Sequence, residues 1–186
     1  MKTRSLAVAG LLGAFFGAFT FPAHAANAFM GHYGYLLTYS EAYSAKPAFH
    51  GAIEVADLFP LACKGLSSRM ACAKIGMVDL AVMPKTLVYA EMNVKTFDAY
   101  IASIRADAKT VGLKSRVRRE KRAGFPSATI DFPGHPQALN AMILVEGTKV
   151  YYRFKYNDKA GAKAASEIAN SLKEVAPHDN PPGPGQ

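Results

Sequence analysis

The eight residues Lys149-Val150-Tyr151-Tyr152-Arg153-Phe154-Lys155-Tyr156 alternate without a break. Val150, Tyr152, Phe154 and Tyr156 take one side of an extended chain. Lys149, Tyr151, Arg153 and Lys155 take the other. Successive side chains of a strand point to opposite faces, so this period of two marks a half-buried antiparallel strand. Gly147-Thr148 supplies the turn before it, and the stretch from Ala138 to Glu146 is a strand candidate on the far side of that turn. Further upstream, Ala128, Ile130 and Phe132 alternate with Ser127, Thr129 and Asp131, which places Ser127 and Asp131 on the solvent side. A basic stretch, Leu113 to Arg122, precedes these, and Pro133-Gly134-His135-Pro136 punctuates. The run reads as a meander of three or four strands.

A helix is expected on each side of the meander. From Thr96 to Val111, the residues Phe97, Tyr100, Ile101, Ile104, Ala108 and Val111 recur at three- and four-residue steps. Thr96 suits the N-cap, Asp98 complements the positive helix start, and Gly112 suits the residue after the end. From about Lys159 to Val175, Ala164, Ile168, Leu172 and Val175 make a second stripe, with Asp158 as N-cap and Pro177 as the stop.

The N-terminal half is read more coarsely. Tyr33, Tyr35, Leu37 and Tyr39 share a face if extended, as a first strand or a docked arm. Phe49 to Val55 reads as one strand. Lys74 to Met83 and Thr86 to Met92 read as two more, with Pro84-Lys85 as a hairpin turn between them. Strands and helices are segregated along the chain. The expected fold class is therefore α+β, an antiparallel sheet with amphipathic helices packed on it.

The stretch from Thr96 to Val175 resembles the PsbP/Mog-like α/β/α sandwich family. The resemblance rests on an amphipathic helix, a basic strand, and Gly124-Phe125-Pro126 opening a meander. It continues with a hairpin at Gly147, the strand Val150-Tyr151-Tyr152-Arg153-Phe154, and a closing helix with Asn170-Ser171-Leu172. Phe59-Pro60 looks like the early strand-end proline of such domains, while the cysteine pair just after it departs from the pattern. The resemblance implies a binding or assembly factor, and carries over no catalytic residue.

The chain opens with Lys2 and Arg4, an apolar run from Leu6 to Phe21, and two small-x-small cuts, Ala23-His24-Ala25 and Ala26-Asn27-Ala28. That order is a secretory signal peptide over residues 1–25, with cleavage as late as 28. Residues 29–176 then form one domain, and the Pro/Gly-rich stretch 177–186 is expected to be disordered. The run falls short of the ~20 apolar residues of a spanning helix, so no transmembrane segment is expected after cleavage. The expected location is the periplasm or the exterior. An oxidising compartment favours a disulfide between Cys63 and Cys72. Closing so short a loop contributes about 2.5–3 kcal/mol on a chain-entropy account.

The formal charge is +8, of which Lys2 and Arg4 carry two. In that compartment a basic protein faces anionic envelope components or an acidic envelope protein, and not nucleic acid. Lys114, Arg116, Arg118, Arg119, Lys121 and Arg122 form the sharpest charged feature. Arg116, Arg118 and Arg122 share one strand face with Glu120 between them. Lys114, Arg116, Arg118 and Arg122 are the candidate anion or partner surface, set against the plain role of charges that block edge-to-edge strand pairing. The tyrosines from Tyr33 to Tyr43 read as packing residues rather than walls of an apolar ligand site.

No catalytic constellation is found. His32, His50, His135 and His178 lack metal-ligand spacing. Ser127, Asp131 and His135 have no nucleophile elbow. No metal, cofactor or catalytic residue is expected, and the leading reading is a non-enzymatic binding or accessory protein. The alternatives are a small hydrolase or isomerase with an unfamiliar site, and an apolar-ligand carrier.

Overall fold

The computed structural model describes residues 26–61, 76–133 and 141–175. The expected leader, both cysteines, His135, His178 and the Pro/Gly tail lie outside them. Ten strands and three helices are defined among the described residues. In chain order they are β1 (Ala26–Gly31), β2 (Tyr35–Ser40), β3 (Tyr43–His50), β4 (Ile53–Pro60) and β5 (Val78–Pro84), then α1 (Lys85–Met92) and α2 (Phe97–Thr110). They continue with β6 (Arg116–Arg122), β7 (Phe125–Asp131), β8 (Ala141–Glu146), β9 (Val150–Tyr156), α3 (Lys159–Asn170) and β10 (Lys173–Glu174).

Seven strands make one fully antiparallel sheet in the order β3-β4-β5-β9-β8-β7-β6. A second sheet runs β1-β2-β10. Strands hold half of the described residues and helices about a quarter. The α+β expectation, a helix-packed PsbP/Mog-like sandwich, is therefore corrected to a β-rich fold. The excess strand comes from the N-terminal half. Gly51, with φ of +61°, turns the chain inside the segment read as one strand, and an eight-residue strand leaves on either side of it. The tyrosine arm becomes the β1–β2 hairpin.

β9 lies near the middle of the large sheet, between β5 and β8. Its inward set, Tyr152, Phe154 and Tyr156, packs with Leu58, Leu80, Val82, Ile143 and Val145 under Ala165, Ile168 and Ala169 of α3 and Tyr35 and Leu37 of β2. The other face is covered as well. Tyr151 is buried against Phe97, Tyr100 and Ile101 of α2 and Val88 of α1, together with Ala128, Ile130 and Leu144. The strand expected to be half buried is buried on both sides, because helices from two parts of the chain close over it.

Three local readings are corrected. Pro84 ends β5 without a hairpin, and Lys85–Met92 is helical, with Val88 and Met92 four residues apart on the face that meets the sheet. The β-propensity of Thr86, Val88 and Tyr89 yields to that packing. Ser127 is buried, not solvent-facing, because β7 pairs on both edges and α3 lies near its face. The last helix stops at Asn170. Ser171 donates from its hydroxyl to Thr38 and Ile168 carbonyls, and Lys173–Glu174 turns into a short strand on β2. Both expected N-caps are made: Ala99 N–H donates to Thr96 Oγ1 at 3.1 Å and Gly161 N–H to Asp158 Oδ1 at 2.6 Å.

Candidate anion-binding face

β6 is an edge strand, paired only with β7 within the large sheet. Its register sets Arg116, Arg118, Glu120 and Arg122 opposite Asp131, Thr129, Ser127 and Phe125, all on the face toward α3. Val117, Arg119 and Lys121 point the other way. The structure then divides the basic run by what each side chain touches.

Arg122 is buried. It donates to Glu120 Oε1 at 2.8 and 3.2 Å, to Ser166 Oγ at 2.7 Å and to Asn170 Oδ1 at 3.4 Å. Ser166 and Asn170 lie one turn apart on α3, so Arg122 clamps the sheet edge to the helix. Thr129 donates to the same Glu120 oxygen at 2.6 Å. Partial burial pushes the Glu120 carboxyl up, but the bonds from Thr129 and Arg122, with the charges of Arg122 and Arg118, outweigh it and hold it below the usual range. Of the four candidate surface residues, Arg122 is therefore part of the frame.

Arg119 turns to α2, 2.5 Å from Asp98 and over the Phe97 ring. Arg118 is 68 % exposed and reaches Asp131 only at 3.9 Å. Lys114 and Arg116 are exposed. Two further cations come from α2, which covers the opposite face of the sheet. A groove of about 630 Å³ is lined by Ala102, Arg105, Ala106, Lys109, Leu113, Lys114 and Ser115. Arg105 Nε donates to Ser115 Oγ at 3.3 Å, which orients its guanidinium along the groove. Arg105 and Lys109 are four residues apart and so share a helix face. Asp107, two residues from each, falls roughly 160° away round the helix. The chemistry gathered here is three cations and a hydroxyl over small aliphatic side chains. It can neutralise and hydrogen-bond an anion.

The sequence reading named Lys114, Arg116 and Arg118 but missed Arg105 and Lys109. The available signal was their four-residue spacing on the wet face of a helix that leads into a basic strand.

A second polar cluster was missed altogether. Glu54 is 2 % exposed and lies inward beside Ala56 and Leu58. Its carboxylate accepts the His32 N–H at 3.0 and 3.2 Å. The turn it anchors, closed by Gly34 N–H to Gly31 O at 3.1 Å, joins β1 to β2. Tyr35 packs its ring on Gly31, where any Cβ would collide with it, and its hydroxyl faces Glu54 without a well-formed bond. Burial pushes Glu54 up, opposed by the turn N–H groups of His32 and Tyr33. On the other side of the Tyr35–Tyr152 edge-on pair, Glu174 accepts from Thr148 N–H at 2.8 Å and Tyr152 hydroxyl at 3.2 Å. These carboxylates tie the small sheet to the large one. The signal in the sequence was an acid at an inward position of an alternating strand.

Of the three residues weighed as a triad, His135 lies outside the described residues. Ser127 Oγ is buried without a hydrogen-bond partner, and Asp131 accepts from Tyr156 at 3.5 Å. No group of three or more His, Cys, Asp or Glu among the described residues is placed to hold a metal ion. No helix among them is long and apolar enough to cross a membrane. No protein-family model matches the chain, and no curated protein matches it.

Proposed function

We propose that the protein is a secreted, non-enzymatic binding or accessory factor that engages an anionic envelope partner through the β6 edge and the α2 groove. The observation that carries this reading is the convergence of Arg105, Lys109 and Lys114 on one groove beside the exposed Arg116 and Arg118. Cations this exposed contribute little to folding. The gathering of Arg105, Lys109 and Lys114 on one groove raises the local concentration of anions. The leader-like N-terminus supports an extracytoplasmic site of action. A cut after Ala28 would remove half of β1.

The test is sedimentation with native envelope fractions, alongside titration with soluble polyphosphate, for the wild type and for Lys114→Glu/Arg116→Glu/Arg118→Glu. Arg122 stays intact because it holds β6 to α3. Each cation near an anionic surface is worth about 1 kcal/mol, so the triple variant should bind about a hundredfold more weakly or worse. Wild-type binding by that variant removes this face from the reading.

A further inference from the structure

The large sheet ends in two edges, and they are built differently. β3 turns into β4 through Gly51 and Ala52, with His50 opposite Ile53. Residues that flank a two-residue turn bond to each other, and the parity alternates from there. The backbone groups of His50, Ala48 and Lys46 therefore face β4, and those of Phe49, Pro47 and Ala45 face outward. Two bonds fit this parity. Leu61 N–H donates to Ala42 O at 2.7 Å inside the pair, and Tyr43 O accepts from Asn27 of β1 at 3.4 Å outside it. Proline has no N–H, so Pro47 leaves the middle of that outer edge without a donor.

β6 has no such interruption. It pairs with β7 residue for residue, from Arg116 opposite Asp131 to Arg122 opposite Phe125, without a bulge. Ala123 and Gly124, both at positive φ, make the two-residue turn between them. The same parity turns the N–H and C=O groups of Val117, Arg119 and Lys121 outward. No strand among the described residues pairs with them. What guards this edge is charge. Arg116 and Arg118 are exposed on the face toward α3, and Lys121 is exposed on the other. Like charge turns away a second copy of β6, but it does not turn away an acidic strand.

We infer that the outer edge of β6 takes up an extended acidic segment of a partner protein as an added strand. The inference rests on the cationic-face reading above and names its partner. Main-chain bonds to Val117, Arg119 and Lys121 hold the segment, and carboxylates on alternate residues meet Arg116 and Arg118. Cross-strand neighbours share a face. The carboxylates therefore sit opposite Arg116 and Arg118, and the residues between them turn their N–H groups to β6. A lipid surface or a free polyphosphate would use the cations and leave these backbone groups in water.

The probe is a fluorescent peptide alternating glutamate and threonine, matched in length to β6 and read by anisotropy. N-methylation of the threonines removes the N–H groups that face β6. It should weaken binding at least about tenfold, because several hydrogen bonds are lost. The same peptide N-methylated on its glutamates has equal charge and should bind like the parent. Val117→Pro removes one outward donor, keeps every charge and spares the ladder to β7. It should weaken the peptide and leave polyphosphate binding unchanged. The methylated peptides decide the matter on the unaltered protein, even where Val117→Pro fails to fold. Equal binding of all three peptides means that charge alone holds them, and overturns the inference. Polyphosphate binding without peptide binding also overturns it and leaves the cationic face standing, whereas binding to neither removes both.

Discussion

At the scale of single residues, environment outweighs residue type. Glu54 and Glu120 are both carboxylates on strands, on the same face of the large sheet. Desolvation dominates at Glu54 and lifts its carboxyl above the ordinary 4.5, while hydrogen bonds and two arginine charges prevail at Glu120 and lower it. The consequences for stability are opposite. At Glu54 the folded state holds its proton longer than the unfolded chain, so stability is full below the ordinary carboxylate range and falls as pH rises through the raised value. Glu54→Gln removes that titration. The stability of the wild type relative to Glu54→Gln should therefore decline from acid toward neutral pH, measured by urea denaturation at a series of pH values. A difference that stays constant with pH would mean that Glu54 ionises in the fold as freely as in the open chain. Nothing in the sequence around Ile53-Glu54-Val55 marks this residue except its parity with Ala56 and Leu58. Parity says that it points inward, but the turn it caps lies more than twenty residues earlier.

At the scale of elements, the basic strand shows what alternation reveals and what it leaves open. The period of two correctly groups Arg116, Arg118, Glu120 and Arg122 on one face. It cannot say which of them meets another element, since that depends on where α3 crosses. α3 reaches only the end of β6, so Arg122 is enclosed by Ser166 and Asn170 while Arg118 stays in water. Removing each should separate the two roles. Arg122→Ala strips a buried guanidinium from several partners and should cost about 2–3 kcal/mol, in the range of hydrogen bonds to charged groups. Arg118→Ala should stay within about 0.5 kcal/mol, as surface changes do. Chemical denaturation of both variants checks this, and equal losses would erase the distinction. The helices obey a similar division. Their caps were legible, because Thr96 and Asp158 act on amides three residues away. The helical state of Lys85–Met92 was not, because an eight-residue segment with Thr, Val and Tyr becomes a helix only through its packing on β5 and β9. Val111 is the sharpest case: its spacing fits the stripe, but the helix ends one residue too early to bury it.

At the scale of the whole molecule, the meander from β6 to β9 was legible and the layers around it were not. Strand periodicity is local. Burial of β9 on both faces is produced by α2 and α1 on one side and by α3 with the β1–β2 hairpin on the other. α1 and α2 come from the middle of the chain, and the hairpin and α3 from its two ends. The same enclosure makes the tyrosines a gauge of the intact fold. The chain has nine. Burial first, and then nearby carboxylates at Glu54 and Glu174, push Tyr35 and Tyr152 far above the ordinary 10.0. Tyr151 is raised by burial and by Tyr89, and Tyr156 is pushed up to about 12 by burial and by Asp131. Tyr33 and Tyr100 are raised as well. For each of these groups the folded state keeps its proton beyond the point where the unfolded chain would release it. Their contribution to stability is thus complete below pH 10 and is lost as pH climbs toward the raised values. An absorbance titration of phenolate should show the raised tyrosines ionising in one steep step above the ordinary value, together with loss of the far-ultraviolet circular dichroism signal. All nine titrating as one smooth curve, with the β signal intact, would mean that Tyr35, Tyr151 and Tyr152 are open to water. The two helix-covered faces described for β9 would then be wrong.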